Sequence, residues 1–472
     1  MEKLIGRNAE ITTLTKCLES ERSEFVILYG RRRIGKTFLV RSYFKDKYDF
    51  HYVGAHHLKQ KRQLENFALA LQKYAKSPFT PKLGNWFEAF RHLEELLEVS
   101  NNEKKVVFID EMPWIDSPKS DFVKALEQFW NGWVCSRDDI LFIACGSSTS
   151  WMMDKIVENQ GGLHNRITRQ IYLRPFTLNE TEQYLTEHKF AWDRYQITQL
   201  YMTFGGVPFY LSHLDSSLSL AQNIDKLCFA KNGILRGEYD ELYNVLFKDA
   251  EHYTQIVRKI AEKKEGMTRQ EIIAATQTNG NALTKILKNL ERNDFIVSYM
   301  KFGNKSNNSV YRVMDFYTLF YYKFMEGNKS GDESFWTHNI NQPSINAWQG
   351  ISFESVVLMH TYQIKKKLGI NGMATSISCW RDKESQIDLL IDRADRIINL
   401  CEIKFSVQPY EITKDYEEKC RSRLFRFLGA TKSKKGIATT FITTFGVAKG
   451  KHSSFVQNEV TMDDLFEPTE NQ

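Results

Sequence analysis

A chain of 472 residues is longer than one hydrophobic core usually supports, so roughly two to four domains are expected. A hydrophobic fraction of 42% with 13% aromatic residues excludes a disordered chain, and no charge-free stretch has membrane-spanning length; without an apolar leader, a soluble protein of the reducing cytoplasm is expected. The net charge of +6 permits an anionic partner without demanding one, and seven cysteines with no CxxC pair suggest neither a zinc site nor a disulfide framework.

An opening helix with Ile11, Leu14 and Leu18 on one face precedes Glu24 to Tyr29, an apolar run of strand length. Gly30-Arg31-Arg32-Arg33-Ile34-Gly35-Lys36-Thr37 then fits the phosphate-loop pattern GxxxxGK(S/T) and leads into a helix through Phe44. Glycines let backbone N–H groups curl around a phosphate at the positive end of a helix, which makes Gly30, Arg33, Gly35, Lys36 and Thr37 candidate nucleotide-binding residues. Lys36 would reach the outer phosphates of ATP and Thr37 would hold Mg²⁺. The plainer alternative is a glycine turn with a surface lysine.

A second strand is expected at His51 to Ala55, followed by helices over Leu64 to Tyr74 and Trp86 to Leu97. Lys104 to Glu111 reads as a buried parallel strand that delivers two acids to the sheet's carboxyl edge. Asp110 would bind Mg²⁺ and Glu111 would polarise the attacking water. Ile140 to Ser148 is a third buried strand, whose Ser147 or Ser148 could sense the terminal phosphate or simply make a turn. Arg166, before the short strand Ile171 to Phe176, could neutralise phosphate charge or be a surface residue. If it acted across subunits, the protein would be a homo-oligomer.

From Thr177 to Asp249 the pattern is helical, broken by Gly205-Gly206-Val207-Pro208, which could lay backbone against an adenine ring or serve only as a kink. Residues 250 to 313 read as three short helices and a hairpin, with a capping box at Thr268 to Glu271. Leu283, Ile286, Leu287 and Leu290 face inward from the helix Asn281 to Arg292, and the polar stretch Gly303 to Asn308 joins two strands. That order describes a winged helix, in which Lys285, Lys288 and Arg292 could face DNA phosphates; packing between domains is the alternative. Asp315 to Met325 is dense in aromatics and suggests a buried connector, and Gly327 to Asn341 reads as a polar linker.

A last domain is expected from Gln342. A helix from Ala347 to Leu368 carries Glu354, and the strands Gln386 to Asp392 and Ile397 to Lys404 form a hairpin that brings Asp388 near Glu402 and Lys404. Such carboxylates could hold Mg²⁺ or Mn²⁺ while the lysine positions a nucleophile; a solvated strand face is the alternative. The ExK triplet alone is unspecific, since Glu262 to Lys264 matches it too. A helix from Tyr410 to Cys420 and a strand from Thr439 to Thr444 follow.

With these residues placed, the chain resembles the archaeal-type ATPase family, in the signal-transducing branch of AAA-like P-loop ATPases. The resemblance rests on Gly6-Arg7 with Glu10, the loop Gly30 to Thr37, Phe108 to Glu111, Gly146 to Ser148, Arg166 and Gly205 to Pro208; it adds Arg7, Ser147 and Pro208 to the nucleotide-binding candidates. The end of the chain resembles a restriction-endonuclease-like fold through Glu354, Asp388, Glu402 and Lys404. The resemblance implies an α/β protein with a P-loop ATPase core with a parallel sheet (1–176), a helical lid (177–249), a winged helix (250–313), a connector (314–341) and a nuclease-like α/β domain (342–472). It implies an ATP-driven switch or motor controlling a metal-dependent nuclease, with DNA as partner and no membrane. The rival is a non-cleaving regulatory ATPase that binds DNA or protein through its winged helix.

Overall fold

The computed structural model describes residues 3–158, 161–303 and 309–469, so Asn304 to Asn308 of the expected hairpin loop lie outside the described residues. The chain divides into two compact units, one ending at Arg174 and the other beginning at Pro175. No helix among the described residues is long and apolar enough to cross a membrane.

In the first unit, β1 (Glu24–Tyr29), β2 (Phe50–Val53), β3 (Lys105–Asp110), β4 (Ile140–Gly146) and β5 (Arg169–Tyr172) form a sheet ordered β2-β3-β4-β1-β5. Every pair in it is parallel, as expected of a P-loop ATPase core. Both faces are covered, so β3 and β4 are buried at every residue and read as continuous apolar runs. Alternation along β1 sends Phe25 and Ile27 into an aromatic layer with Trp86, Phe129 and Phe142, and Val26 and Leu28 into an aliphatic layer with Leu14, Val40 and Ile143. From β1 the chain runs out to β2, returns through β3 and β4, and crosses β1 to reach β5. That reversal leaves a crevice at the carboxyl ends of β1 and its neighbours, where ligands of open α/β sheets bind.

The second unit opens with helices, among them Leu178–Glu187 and Arg194–Phe204. Its strands are β6 (Met267–Thr268), β7 (Ile296–Lys301), β8 (Ser309–Val313), β9 (Thr375–Arg381), β10 (Gln386–Arg393), β11 (Ile397–Lys404), β12 (Gly436–Thr443) and β13 (Asn458–Thr461). They make one sheet ordered β13-β12-β11-β10-β9-β7-β8-β6. The capping box at Thr268 and Glu271 is formed, and Leu283, Ile286, Leu287 and Leu290 are buried as their spacing predicts. The β10–β11 hairpin is antiparallel, with Leu389 opposite Cys401.

Several expectations differ. Strand β9 joins the expected hairpin and β13 lies beyond β12, and β9 meets β7 through only two register pairs, Met300 with Ser378 and Lys301 with Cys379. The stretch from 347 to 368 is two helices, Pro343–Met359 and Thr361–Lys367, divided at His360. The helix expected from Tyr410 begins instead where Thr413 caps it, and runs over Lys414–Thr431. Within the expected polar linker, the helix Phe335–Asn339 buries Trp336 against Phe320, Phe324 and Trp348. An indole of that area in a ring cluster makes a core element of a segment that its polar neighbours disguise.

Candidate functional site

The loop after β1 has the backbone of a phosphate cradle. Gly30 takes a φ of +143° beside the Leu173 carbonyl, where a Cβ would come within 2.3 Å of the oxygen, and Gly35 caps the next helix at φ 85°. Arg33 holds φ 73° without being glycine, a conformation that the surrounding structure must enforce. The helix Lys36–Phe44 has no side-chain cap, which leaves its first N–H groups for an anion. Arg7, itself left-handed and buried, donates from Nη2 to the Ile34 carbonyl at 3.2 Å and so braces the loop.

Lys36 is 6% exposed, and its Nζ donates to the carbonyls of Gly30 at 2.9 Å and Arg31 at 2.7 Å. The ammonium thus rests on its own loop, since a buried charge must find acceptors. Burial lowers its pKa, while the nearby charges of Glu111 and Asp110 oppose that shift. Thr37 Oγ1 donates to Asp110 Oδ2 at 2.7 Å, which joins the helix start to the end of β3. These two oxygens suit Mg²⁺, an ion that takes one or two protein ligands and fills its remaining positions with water and phosphate oxygens.

Glu111 follows β3 at φ 47°, so the chain turns sharply and its carboxylate faces β4. Ser147 donates to Glu111 Oε2 from its N–H at 3.2 Å and its hydroxyl at 2.8 Å. Among the described residues only Oε2 of Glu111 is engaged, which leaves Oε1 for a water molecule. Burial raises the Glu111 carboxyl above its ordinary pKa, with Asp110 adding to the shift and Lys36 and Ser147 opposing it. Cys145 also reaches this corner: burial, then the charge of Asp110, raises its thiol well above the usual value. Sequence reasoning passed over Cys145 because a cysteine in an apolar strand reads as packing. Arg166 lies on an exposed turn that follows the undescribed residues 159 and 160. Pro208 begins a four-residue helix in the second unit, after Gly205 and Gly206 at φ 66° and 64°.

Residues 4–214 match the family described as an ATPase domain predominantly from Archaea. Over these residues the chain is similar to an archaeal-type ATPase domain. It is 24% identical to an uncharacterized protein of Methanocaldococcus jannaschii over 421 residues, 88% of this chain and 90% of that one. A Walker-type ATPase of Pyrococcus abyssi is similar at 19% identity over 67% of this chain and 95% of its own, with a TM-score of 0.48. The ORC2 protein of Aeropyrum pernix is similar at 18% identity over 66% of this chain and 91% of its own, with a TM-score of 0.35.

Beyond residues 4–214, Glu354 from the helix Pro343–Met359 and Asp388, Glu402 and Lys404 from the hairpin line one cavity of about 470 Å³. A register shift between Ile387 and Leu390 bulges β10 beside β9 at Asp388, a device that re-aims a side chain. The expectation that the three acids stand ready for a metal is not met, because each is already paired with a protein cation. Glu354 meets Lys264 at 2.8 Å and Arg312 at 3.5 Å; Arg312 also reaches Asp388 at 3.4 Å. Glu402 is ion-paired with Arg423 and accepts from the Tyr416 hydroxyl at 2.7 Å. Lys404 lies over the Tyr416 ring at 4.6 Å, and burial lowers its pKa while Glu354 and Asp388 oppose the shift. Among the described residues no group of three or more histidines, cysteines, aspartates or glutamates is disposed to hold a metal ion. In this arrangement the donor set does not fit a divalent cation. Lys264, Arg312, Arg423 and Tyr416 escaped sequence reasoning because they come from segments distant in the chain.

Proposed function

We propose that the first unit binds ATP with Mg²⁺ and hydrolyses it, and that this cycle acts on a nuclease-like second unit facing nucleic acid. The observation that carries the reading is the closed circuit Thr37–Asp110 and Glu111–Ser147 across the carboxyl ends of β3 and β4, beside the uncapped helix of the phosphate loop. In it the Lys36 amine exchanges its loop carbonyls for phosphate oxygens. Mg²⁺ on Thr37 and Asp110 would supply charge neutralisation for the phosphates. Glu111 Oε1 accepts from the attacking water, while Ser147 holds Oε2 so that the carboxylate cannot swing away. The raised pKa of Glu111 makes it a better proton acceptor than an exposed glutamate.

In the second unit, Asp388, Glu402 and Lys404 supply the residue types of a phosphodiester-cleaving centre, and the exposed Lys285 and Lys288 supply charge for a nucleic-acid backbone. The ion pairs on every carboxylate favour a second reading, in which the ATPase regulates without cleaving and the pocket is structural. ATP hydrolysis with and without DNA, by wild type and Glu111→Gln, tests the first half: hydrolysis that survives the substitution rejects the assignment. Plasmid cleavage with Mn²⁺ lost in both Asp388→Asn and Lys404→Ala supports the nuclease reading, and no cleavage by any form leaves the regulatory one.

A further inference from the structure

The cations on Glu354 and Asp388 do not belong to the elements that carry those acids. Glu354 lies on the helix Pro343–Met359 and Asp388 on β10, whereas Arg312 lies on β8 and Lys264 on the turn that leads into β6. The two cations therefore come from the 250–313 segment and the carboxylates from the 342–469 portion. Arg312 is only 7% exposed and spans both acids through separate guanidinium nitrogens, Nη2 to Glu354 and Nη1 to Asp388. Lys264 engages the other oxygen of Glu354 and is itself 45% exposed.

We propose that the 250–313 segment is a built-in plug for this pocket, with Arg312 and Lys264 supplying the positive charge that a divalent cation would otherwise bring. The proposal rests on the nuclease-like reading of the pocket. A buried carboxylate beside a second, half-buried one requires compensation, and either the plug or a metal ion provides it, so the two compete.

The backbone joint between the two portions is short. Strand β7 meets β9 through two register pairs, extended by one bond from the Phe302 N–H to the Cys379 carbonyl at 2.8 Å. Phe302 also packs its ring on Phe427 at 5.1 Å, and the remaining polar ties are charged: Arg381 pairs with Glu265 at 3.4 Å and with Glu271 at 3.0 Å. Contacts of that kind are weakened by salt and by a competing polyanion. A nucleic-acid phosphate backbone has the chemistry to draw Arg312 and Lys264 off the acids and so couple substrate engagement to metal loading.

Mn²⁺ titration of the full chain, read by calorimetry and by the loss of the free-ion electron paramagnetic resonance signal, tests the plug without any activity assay. Asp388→Asn in each background identifies the binding that belongs to this pocket. Lys264→Gln, at a half-exposed position and with Arg312 still on Glu354, should tighten the Asp388-dependent Mn²⁺ affinity about tenfold, and Arg312→Gln should tighten it further. Equal Asp388-dependent affinity in wild type and Lys264→Gln overturns the plug while leaving the nuclease-like reading intact. Absence of Asp388-dependent binding in wild type and in the folded Lys264→Gln protein overturns both.

Discussion

Two acidic sites in this chain solve the problem of buried negative charge in opposite ways. Asp110 and Glu111 receive hydrogen bonds from neutral groups, the Thr37 and Ser147 hydroxyls and backbone N–H groups, and their nearest cation, Lys36, is turned onto loop carbonyls. Glu354, Asp388 and Glu402 are instead matched one by one with Lys264, Arg312 and Arg423. The first site leaves its charge to be balanced by what it binds, so ligand entry is favoured; the second has balanced its charge internally, so entry requires something to leave. A site short of positive charge is poised to act, and one already neutral must first be opened.

The largest test of that contrast is the rate of ATP hydrolysis. Glu111→Gln keeps the hydrogen bonds from Ser147 but removes the proton acceptor, and should slow steady-state hydrolysis by about 10² to 10⁴ while leaving nucleotide affinity within a few-fold. Equal losses of binding and rate would show instead that Glu111 shapes the cradle. Lys36→Ala, measured beside it by fluorescent-nucleotide binding, should weaken affinity about tenfold or more through loss of a charged hydrogen bond.

The two sites also differed in how far the sequence disclosed them. The first is local: the phosphate loop is eight contiguous residues, and Asp110-Glu111 follow an apolar run whose burial the composition announces, so loop and strand could both be read. The strand Glu24–Tyr29 was legible because burial on both faces makes Phe25 to Leu28 an unbroken apolar run. The second site was half legible. Hairpin alternation placed Asp388, Glu402 and Lys404 together, but nothing periodic ties Arg312 or Lys264 to Glu354, and the Glu262 to Lys264 triplet looked like a chance match. Strand β9 escaped for a related reason, since Thr375 to Arg381 alternates small polar residues with few apolar ones and acquires its identity from its neighbours β10 and β7.

Next in size is the stability of the second site. Arg423→Gln leaves Glu402, 5% exposed, with only the Tyr416 hydroxyl, and should destabilise the protein by about 3 kcal/mol in urea unfolding. Adding Glu402→Gln removes the orphaned charge and should recover most of that loss. A variant that unfolds with the wild type would mean that solvent already screens the pair, and the contrast between the two sites would collapse.

His360 asks what happens when the second unit must take a charge that no partner balances. Its ring accepts from the Leu178 N–H at 3.1 Å and donates to the Val356 carbonyl at 2.7 Å, so the neutral form uses both nitrogens. Burial pushes its pKa down to about 4, with the bond to Val356 opposing. Below about pH 6.5 the unfolded chain takes up a proton that the folded one refuses, so the stabilisation is complete above that pH and is lost as pH falls towards 4. Wild type should therefore lose about 2 kcal/mol between pH 7 and pH 5 that His360→Gln does not lose. Parallel pH profiles for the two proteins would place the imidazole in contact with water.

The smallest effect returns to the first site and carries the opposite sign. Because burial and Asp110 raise the pKa of Glu111, its ionised form destabilises the folded protein in the absence of ligand, and the cost grows as pH rises from its ordinary value through the folded one. Glu111→Gln is isosteric and uncharged, so the nucleotide-free variant should be more stable than wild type at pH 7, the reverse of what losing a paired acid does in the second unit. The gain should shrink as pH falls and the wild-type carboxyl takes up its proton, and it should shrink again when Mg²⁺ and a non-hydrolysable nucleotide are added, because the cation's charge then relieves the wild-type carboxylate. A destabilised Glu111→Gln protein at every pH would mean that the carboxylate is held by contacts worth more than its desolvation, and that the first site is as internally balanced as the second.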